Sequence, residues 1–363
     1  MLIERFGVWL LDLPLREAFA AAHGTTSSRE LAVVRVETDV GHGWGECSAL
    51  PEPTYTAEYA AGAYDVLIER LSPLLLGQRL IAPDALDLSA VGGHPMAVAA
   101  VEMALLDVDC RARSYSLAEH LGTTRRSVPT GAAIGLDTVE GVARRAADLA
   151  EQGFGRAKLK IQPGHDRAVV AAVQAVAPSL EVQVDANGSY GPGDVALLTE
   201  LAAAGVTAIE QPFAVDDVDS AAALVAAVSV PVVADEAVTT AADLERLHSL
   251  GALSGVSIKP ARVGGIRSAV QLLDRCVAAG LPATAGGMVE SALGRHALAA
   301  VAALDGFTLT GDVSPAGRWL AADPWPDLTL TADGVRVPTS PGIAPDPDLD
   351  VLAAHTIRAA TVS

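Results

Sequence analysis

The chain has 363 residues, half of them apolar and 4% aromatic, with a formal net charge of −19. That length suits an eight-fold barrel with a second domain, and so acidic a surface excludes nucleic acid and anionic membranes as partners. Cys47, Cys110 and Cys276 form no CxxC or paired pattern, which argues against a disulfide framework or zinc site and for the reducing cytoplasm. The opening stretch MLIERFGVWLLDLPLRE carries Glu4 and Asp12 and does not read as a signal peptide. No uninterrupted apolar run reaches the length of a membrane span.

Residues 1–50 read as strands. LAVVRVET (31–38) is β-rich, and GHGWGE (41–46) reads as a glycine-punctuated turn into another strand. No helix or Lys-Ser follows it, so it is no phosphate loop. Residues 57–76 and 95–110 carry helical spacing, giving an α+β capping domain over 1–125. From Val128 the pattern alternates. Strand candidates are TGAAIG (130–135), AKLKI (157–161), EVQVD (181–185), TAIE (207–210), VVAD (232–235), VSIK (256–259), PAT (282–284) and FTLT (307–310). Alanine-rich helical segments separate them, several ending in glycine, a helix-stop signal. The fold class is therefore α/β: a modified (β/α)8, TIM-like barrel over 126–319, its eighth helix short or absent. The Pro- and Asp-rich tail, 320–363, is expected to return to the capping domain and complete it.

Asp185, Glu210 and Asp235 recur at a 25-residue beat, each closing an apolar run. Lys259 follows after 24 residues, and the pair Lys158 and Lys160 precedes Asp185. Such a beat is one strand, one helix and two loops, so these side chains converge on the barrel's C-terminal mouth, where active sites of this fold lie. Hard divalent cations take oxygen ligands, and three carboxylates leave positions open for water and substrate. Mg2+ fits that set and Mn2+ would substitute. Acids that merely cap the next helix or neutralise lysines would explain one such residue better than three in register. Glu236 follows Asp235, but alternation along a strand points it elsewhere. Lys158 and Lys160 share one face of their strand, with Lys158 a layer deeper. A partly desolvated lysine near other cations has a lowered pKa and acts as a base. Lys160 and Lys259 would flank a substrate, whereas Lys158 also fits a plain ion-pair role. A small carboxylate substrate chelated to the metal has a more acidic α-proton, and its enediolate is stabilised there. Enolase-superfamily sites pair a Lys or His base with Mg2+ in this way, a known pattern.

With these pieces in hand the chain resembles the enolase superfamily, in its muconate-lactonizing branch, and within it the o-succinylbenzoate synthase / N-acylamino acid racemase group. The resemblance rests on SSREL (27–31), GWGECSALPEPTYTAEY (43–59), KLKIQPG (158–164), QVDANGSY (183–190), IEQPF (209–213), DEAV (235–238), IKPARVGG (258–265), GGMVESALGR (286–295) and GDVSPAGRWL (311–320). It implies that Lys160 abstracts the α-proton, that Lys259 serves the other face, and that Asp185, Glu210 and Asp235 hold Mg2+. It further implies that Asn187, Gly286, Gly287 and Met288 lie along the substrate, and that the loops around His23 and Tyr55 cap it. Relatives are often dimers or octamers, so a homo-oligomer is allowed.

The resemblance implies two reactions. One is a hydro-lyase step, dehydration of 2-succinyl-6-hydroxy-2,4-cyclohexadiene-1-carboxylate to o-succinylbenzoate for menaquinone synthesis. The alternative is racemisation of N-succinyl or other N-acylamino acids. A dipeptide epimerase ranks lower, since its usual Asp-x-Asp at the eighth strand is replaced here by Thr310-Gly311-Asp312. Muconate cycloisomerisation ranks lower too, as does a non-catalytic ligand-binding barrel, which would have lost a base or a metal acid. His42, His94, His165 and His296 share no metal-binding spacing and read as loop or helix-surface residues. Glu290 reads as a brace for the seventh-strand loop.

Overall fold

The computed structural model describes residues 1–21, 24–85, 88 and 91–363. Three antiparallel strands open the chain: β1 (Ile3–Ala21), β2 (Gly24–Thr38) and β3 (Gly41–Cys47). Side chains alternate along them. Phe6, Val8, Leu10, Ala32, Val34 and Val36 pack on the helices α1 (Ala60–Val66), α2 (Ser72–Leu75) and α3 (Pro95–Ala112). Leu11, Leu13, Leu31 and Val33 face the other way, into a core shared with the barrel and the tail. The cap sheet is thus buried on both faces.

GHGWGE is not a turn: β3 spans it. Its glycines serve a tertiary contact. A Cβ on Gly43 would lie 2.3 Å from the Ala104 carbonyl oxygen, and one on Gly45 would lie 2.0 Å from that of Ala100. Only glycine lets α3 approach the strand so closely.

After the short helix α4 (Leu117–His120) and β4 (Ser127–Val128) comes the barrel. Seven parallel strands pair in chain order: β5 (Gly131–Ile134), β6 (Arg156–Lys160), β7 (Glu181–Asp185), β8 (Ala208–Glu210), β9 (Val232–Ala234), β10 (Gly255–Ile258) and β11 (Ala283–Ala285). The outer helices are α5 (Val139–Glu151), α6 (Arg167–Val176), α7 (Val195–Ala203), α8 (Val218–Ala227), α9 (Ala241–Ser249), α10 (Ile266–Ala278) and α11 (Ala292–Ala302). α10 shows why they form: Ile266, Ala269, Leu272, Leu273 and Cys276 make one buried stripe at helical spacing.

The eighth expected strand, FTLT, does not form a ladder. Phe307 makes one bridge to Ala283, and the Asp312 amide donates to the Ala285 carbonyl at 2.8 Å. On the other side Thr130 Oγ1 donates to the Val313 carbonyl at 2.6 Å. The segment closes the gap between β11 and β5, pressed so near β11 that a Cβ on Gly311 would lie 2.7 Å from the Ala285 oxygen. The eighth helix is a single 3-10 turn, Ala316–Arg318, short as expected.

The tail forms β12 (Leu330–Thr331) and β13 (Gly334–Arg336), which join β4 in a small sheet that sequence reading did not anticipate. Then α12 (Leu349–Ala354) leads to β14 (Thr356–Val362), which pairs antiparallel with β1 and completes the cap sheet. Among the described residues no helix is long and apolar enough to cross a membrane.

Candidate active site

The parallel register sets the site. Lys160 lies opposite Asp185, and Asp185 opposite Glu210, each the last residue of its strand. Asp235 and Lys259 stand one residue beyond β9 and β10. All three acids are at most 3% exposed.

Their oxygens face cations. Lys160 Nζ donates to Asp185 Oδ2 at 2.8 Å and to Asn187 Oδ1 at 2.5 Å. Lys158, one layer deeper, donates to both oxygens of Glu210 at 3.0 Å and to Asp312 Oδ2 at 2.7 Å. Lys259 donates to Asp235 Oδ2 at 2.7 Å and to the Tyr55 hydroxyl at 2.9 Å. Arg262, 1% exposed, bonds the other Asp235 oxygen and reaches Tyr55 at 2.7 Å. Among the described residues no acid cluster stands ready as a metal shell. Each carboxylate is instead turned toward an ammonium or guanidinium.

Burial raises Glu210, and the like charges of Asp185, Asp235 and Asp312 add to this, so it is pushed up to about 7 even with Lys158 beside it. Burial opposes ionisation of Asp235 too, but Arg262 and Lys259 hold it well below the usual carboxylate range. Lys158, read from the sequence as also fitting an ion-pair role, is so paired, and neither it nor Lys259 has a lowered pKa here. Burial works in that direction, but Asp312, Glu210 and Asp185 raise Lys158, and Asp235 raises Lys259.

A cavity of about 220 Å3 opens above these groups. Lys158, Lys160, Asp185, Asn187 and Lys259 line it from the barrel, Gly287, Met288 and Val289 from the loop after β11, and Leu50–Glu52, Thr54 and Tyr55 from the cap. Glu210 and Asp235 lie beneath. Gly286 packs on the Lys259 stem, where a Cβ would stand 2.7 Å from Cγ. His23 lies outside the described residues. Glu236 stays at the edge of the site, accepting from Asn187 Nδ2 at 2.8 Å. Glu290 does brace its loop: Oε1 accepts the Met288 amide at 2.8 Å, and Oε2 lies 3.0 Å from Arg295 Nε. His296 corrects the helix-surface expectation. It is 7% exposed, because α11 is buried on all sides.

Sequence reasoning named Asp312 only as the single acid of the eighth segment and missed that it joins Lys158 to Arg156 Nη2 at 2.7 Å. It also missed Arg262, although three residues after Lys259 is one turn away. Gln211 was missed as well; its Oε1 accepts the Asp235 and Ala237 amides at 2.9 and 3.2 Å.

Buried acids and lysines gathered under a capped cavity at the C-terminal end of a parallel barrel define an acid–base enzyme of the capped-barrel class. Residues 8–122 match the mandelate racemase / muconate lactonizing enzyme N-terminal domain, and residues 141–351 the enolase C-terminal domain-like family. The chain belongs to the enolase superfamily, whose enzymes generally use Mg2+. It is 39% identical to an N-succinylamino acid racemase of Amycolatopsis, over 93% of this chain and 94% of that one. It is 35% identical to an o-succinylbenzoate synthase of Listeria innocua, over 95% and 94%. A solved enolase-superfamily structure from Listeria innocua superposes with a TM-score of 0.94 at 33% identity, covering 100% of this chain and 99% of that one.

Proposed function

We propose that this enzyme dehydrates 2-succinyl-6-hydroxy-2,4-cyclohexadiene-1-carboxylate to o-succinylbenzoate, with Lys160 taking the α-proton. The carrying observation is the flanking of the cavity by Lys160 on β6 and Lys259 after β10, with the acids on the strands between. Lys259, on the opposite side of the cavity, would meet as an ammonium the negative charge that abstraction leaves on the substrate, and in its neutral form would take the α-proton from that face. Lys158 and Asn187 hold Glu210 and Lys160 in place.

Asp185, Glu210 and Asp235 offer only oxygen donors, buried together at the ends of adjacent strands, and so fit a hard divalent cation. Mg2+ held by these three would acidify the α-proton of a chelated carboxylate. Asp185, Glu210, Asp235 and Asp312 are each paired with one or more of Arg156, Lys158, Lys160, Lys259 and Arg262, so the charges in the site are largely offset. A divalent cation arriving with a dicarboxylate keeps that balance, and this substrate carries two carboxylates. A cytoplasmic location, supported by three free buried cysteines, and a homo-oligomeric state belong to the same proposal.

The second reading is N-succinylamino acid racemisation. The 39% identity to such a racemase favours it, and N-succinylamino acids are also dicarboxylates. The test is turnover of the cyclohexadiene substrate with Mg2+ by the wild type and by Lys160→Ala. Loss in the variant is expected. No wild-type turnover, with racemisation of N-succinylamino acids present, would favour the second reading.

A further inference from the structure

One wall of the cavity is held in a shape its own sequence resists. Val289 stands at φ +56°, a left-handed value that β-branched residues rarely adopt. Its carbonyl accepts a 3.0 Å hydrogen bond from Arg29 Nε, which reaches over from β2 of the cap. Arg29 is 1% exposed. Its other bonds go to the backbone carbonyls of Glu30 at 2.8 Å, Ala49 at 2.7 Å and Ser48 at 2.5 Å. Among the described residues its hydrogen bonds all go to carbonyls, with Glu46 and Glu290 beside its charge and the cavity against it, so it straps chain segments together at the cavity wall.

Both strapped segments bear on Lys259. Ser48 and Ala49 lead into the loop that carries Tyr55, whose hydroxyl Lys259 contacts at 2.9 Å and over whose ring Lys259 Nζ stands at 4.7 Å. Val289 ends the stretch whose Gly286 backbone lies against the Lys259 stem. Among the described residues nothing comparable ties Arg29 to Lys160, which rests on Asp185 and Asn187 within the barrel.

We propose that Arg29 is a positioning residue: it clamps the strained Val289 turn and the Tyr55 loop together, so that the cap sets the geometry of Lys259 and leaves Lys160 alone. This inference rests on the proposed division of the two substrate faces between these lysines.

The test uses full-length Arg29→Met, Arg29→Lys, Val289→Gly and the combined Arg29→Met/Val289→Gly, each first checked for folding by thermal melting. Glycine adopts a positive φ without strain, so it keeps the turn when the strap is gone. With Mg2+, kcat and KM are measured, and α-proton exchange in D2O is followed from each enantiomer of an N-succinylamino acid. Arg29→Met is expected to lower kcat about tenfold or more with KM little changed. Exchange should fall on one face only, and the double variant should recover most of kcat. A kcat within about twofold of wild type, equal losses on both faces, or no recovery in the double variant would overturn the proposal. If Arg29→Met does not fold, Arg29→Lys and its Val289→Gly combination carry the same comparison, since one ammonium cannot span four carbonyls. A wild type that turns over neither substrate would sink the functional reading instead. Amide exchange over residues 286–291 then decides: about tenfold faster in Arg29→Met upholds the strap, and no change refutes it.

Discussion

Replacing Asp312 with alanine should destabilise the protein more than almost any other change outside the apolar core. Asp312 Oδ1 takes Arg156 and Oδ2 takes Lys158, both at 2.7 Å. The two cations are 1% and 4% exposed at the side chain. Lys158 keeps Glu210 at 3.0 Å and Asp185 at 3.5 Å. Among the described residues Arg156 keeps no other side-chain hydrogen-bond partner, and its Nε and Nη1 are already unsatisfied. Most of the loss therefore falls on Arg156. Breaking one side of a buried pair costs about 3–5 kcal/mol, which at roughly 2 °C per kcal/mol lowers Tm by about 6–10 °C. Asp312→Asn keeps an acceptor and should lose about half as much. Arg156→Met in the Asp312→Ala background should recover most of the loss, because the stranded charge is then gone. Calorimetric melting of the four proteins checks this. A loss below about 1 kcal/mol, or no recovery in the double variant, would refute the reasoning about stranded charge.

Gly45→Ala should lower stability by at least about 1–3 kcal/mol, read by denaturant unfolding, since its Cβ would strike the Ala100 carbonyl and force α3 off β3. Burial pushes Glu46 up to about 7 from 4.5, despite help from Ser291, Ser48 and Arg29. Between those values the folded chain holds a proton that the unfolded chain has released, so stability is greatest below the lower value and falls as pH rises through the upper one. The fall is worth about 3 kcal/mol, and Glu46→Gln should flatten it in melts from about pH 5 to 8; an unchanged slope would contradict it. Chelation of divalent cations should abolish turnover and lower Tm. At about a hundredfold excess over its Kd, restored Mg2+ should return about 2.7 kcal/mol of stability; an identical Tm with and without Mg2+ would count against the three acids as its ligands.

The acids and lysines were legible because a barrel repeats a strand, a helix and two loops at nearly constant length, so the C-terminal strand ends fall on a beat. Alternation within one strand likewise placed Lys158 beneath Lys160. Groups that owe their place to contacts between distant segments were not legible. Asp312 sits in an eighth segment whose apolar run reads as a strand but is bent against β11. Arg29 falls inside the SSREL motif, but its bond to the Val289 carbonyl joins segments far apart in the chain, which the motif does not foretell. Gly43 and Gly45 read as turn residues because no local signal separates a glycine needed for φ from one needed for a helix to approach. The small sheet of β4, β12 and β13 joins segments some two hundred residues apart.

The proposed division of the two faces between Lys160 and Lys259 is the central claim, and proton exchange tests it most directly. N-Succinylamino acid enantiomers would be incubated separately in D2O with Mg2+ and either Lys160→Ala or Lys259→Ala, and α-deuterium followed by NMR. Each variant is predicted to keep exchange of one enantiomer and lose the other, with the two variants keeping opposite ones. Exchange of the same enantiomer by both variants, or of both enantiomers by Lys160→Ala, would contradict the placement of the two lysines on opposite faces of the substrate.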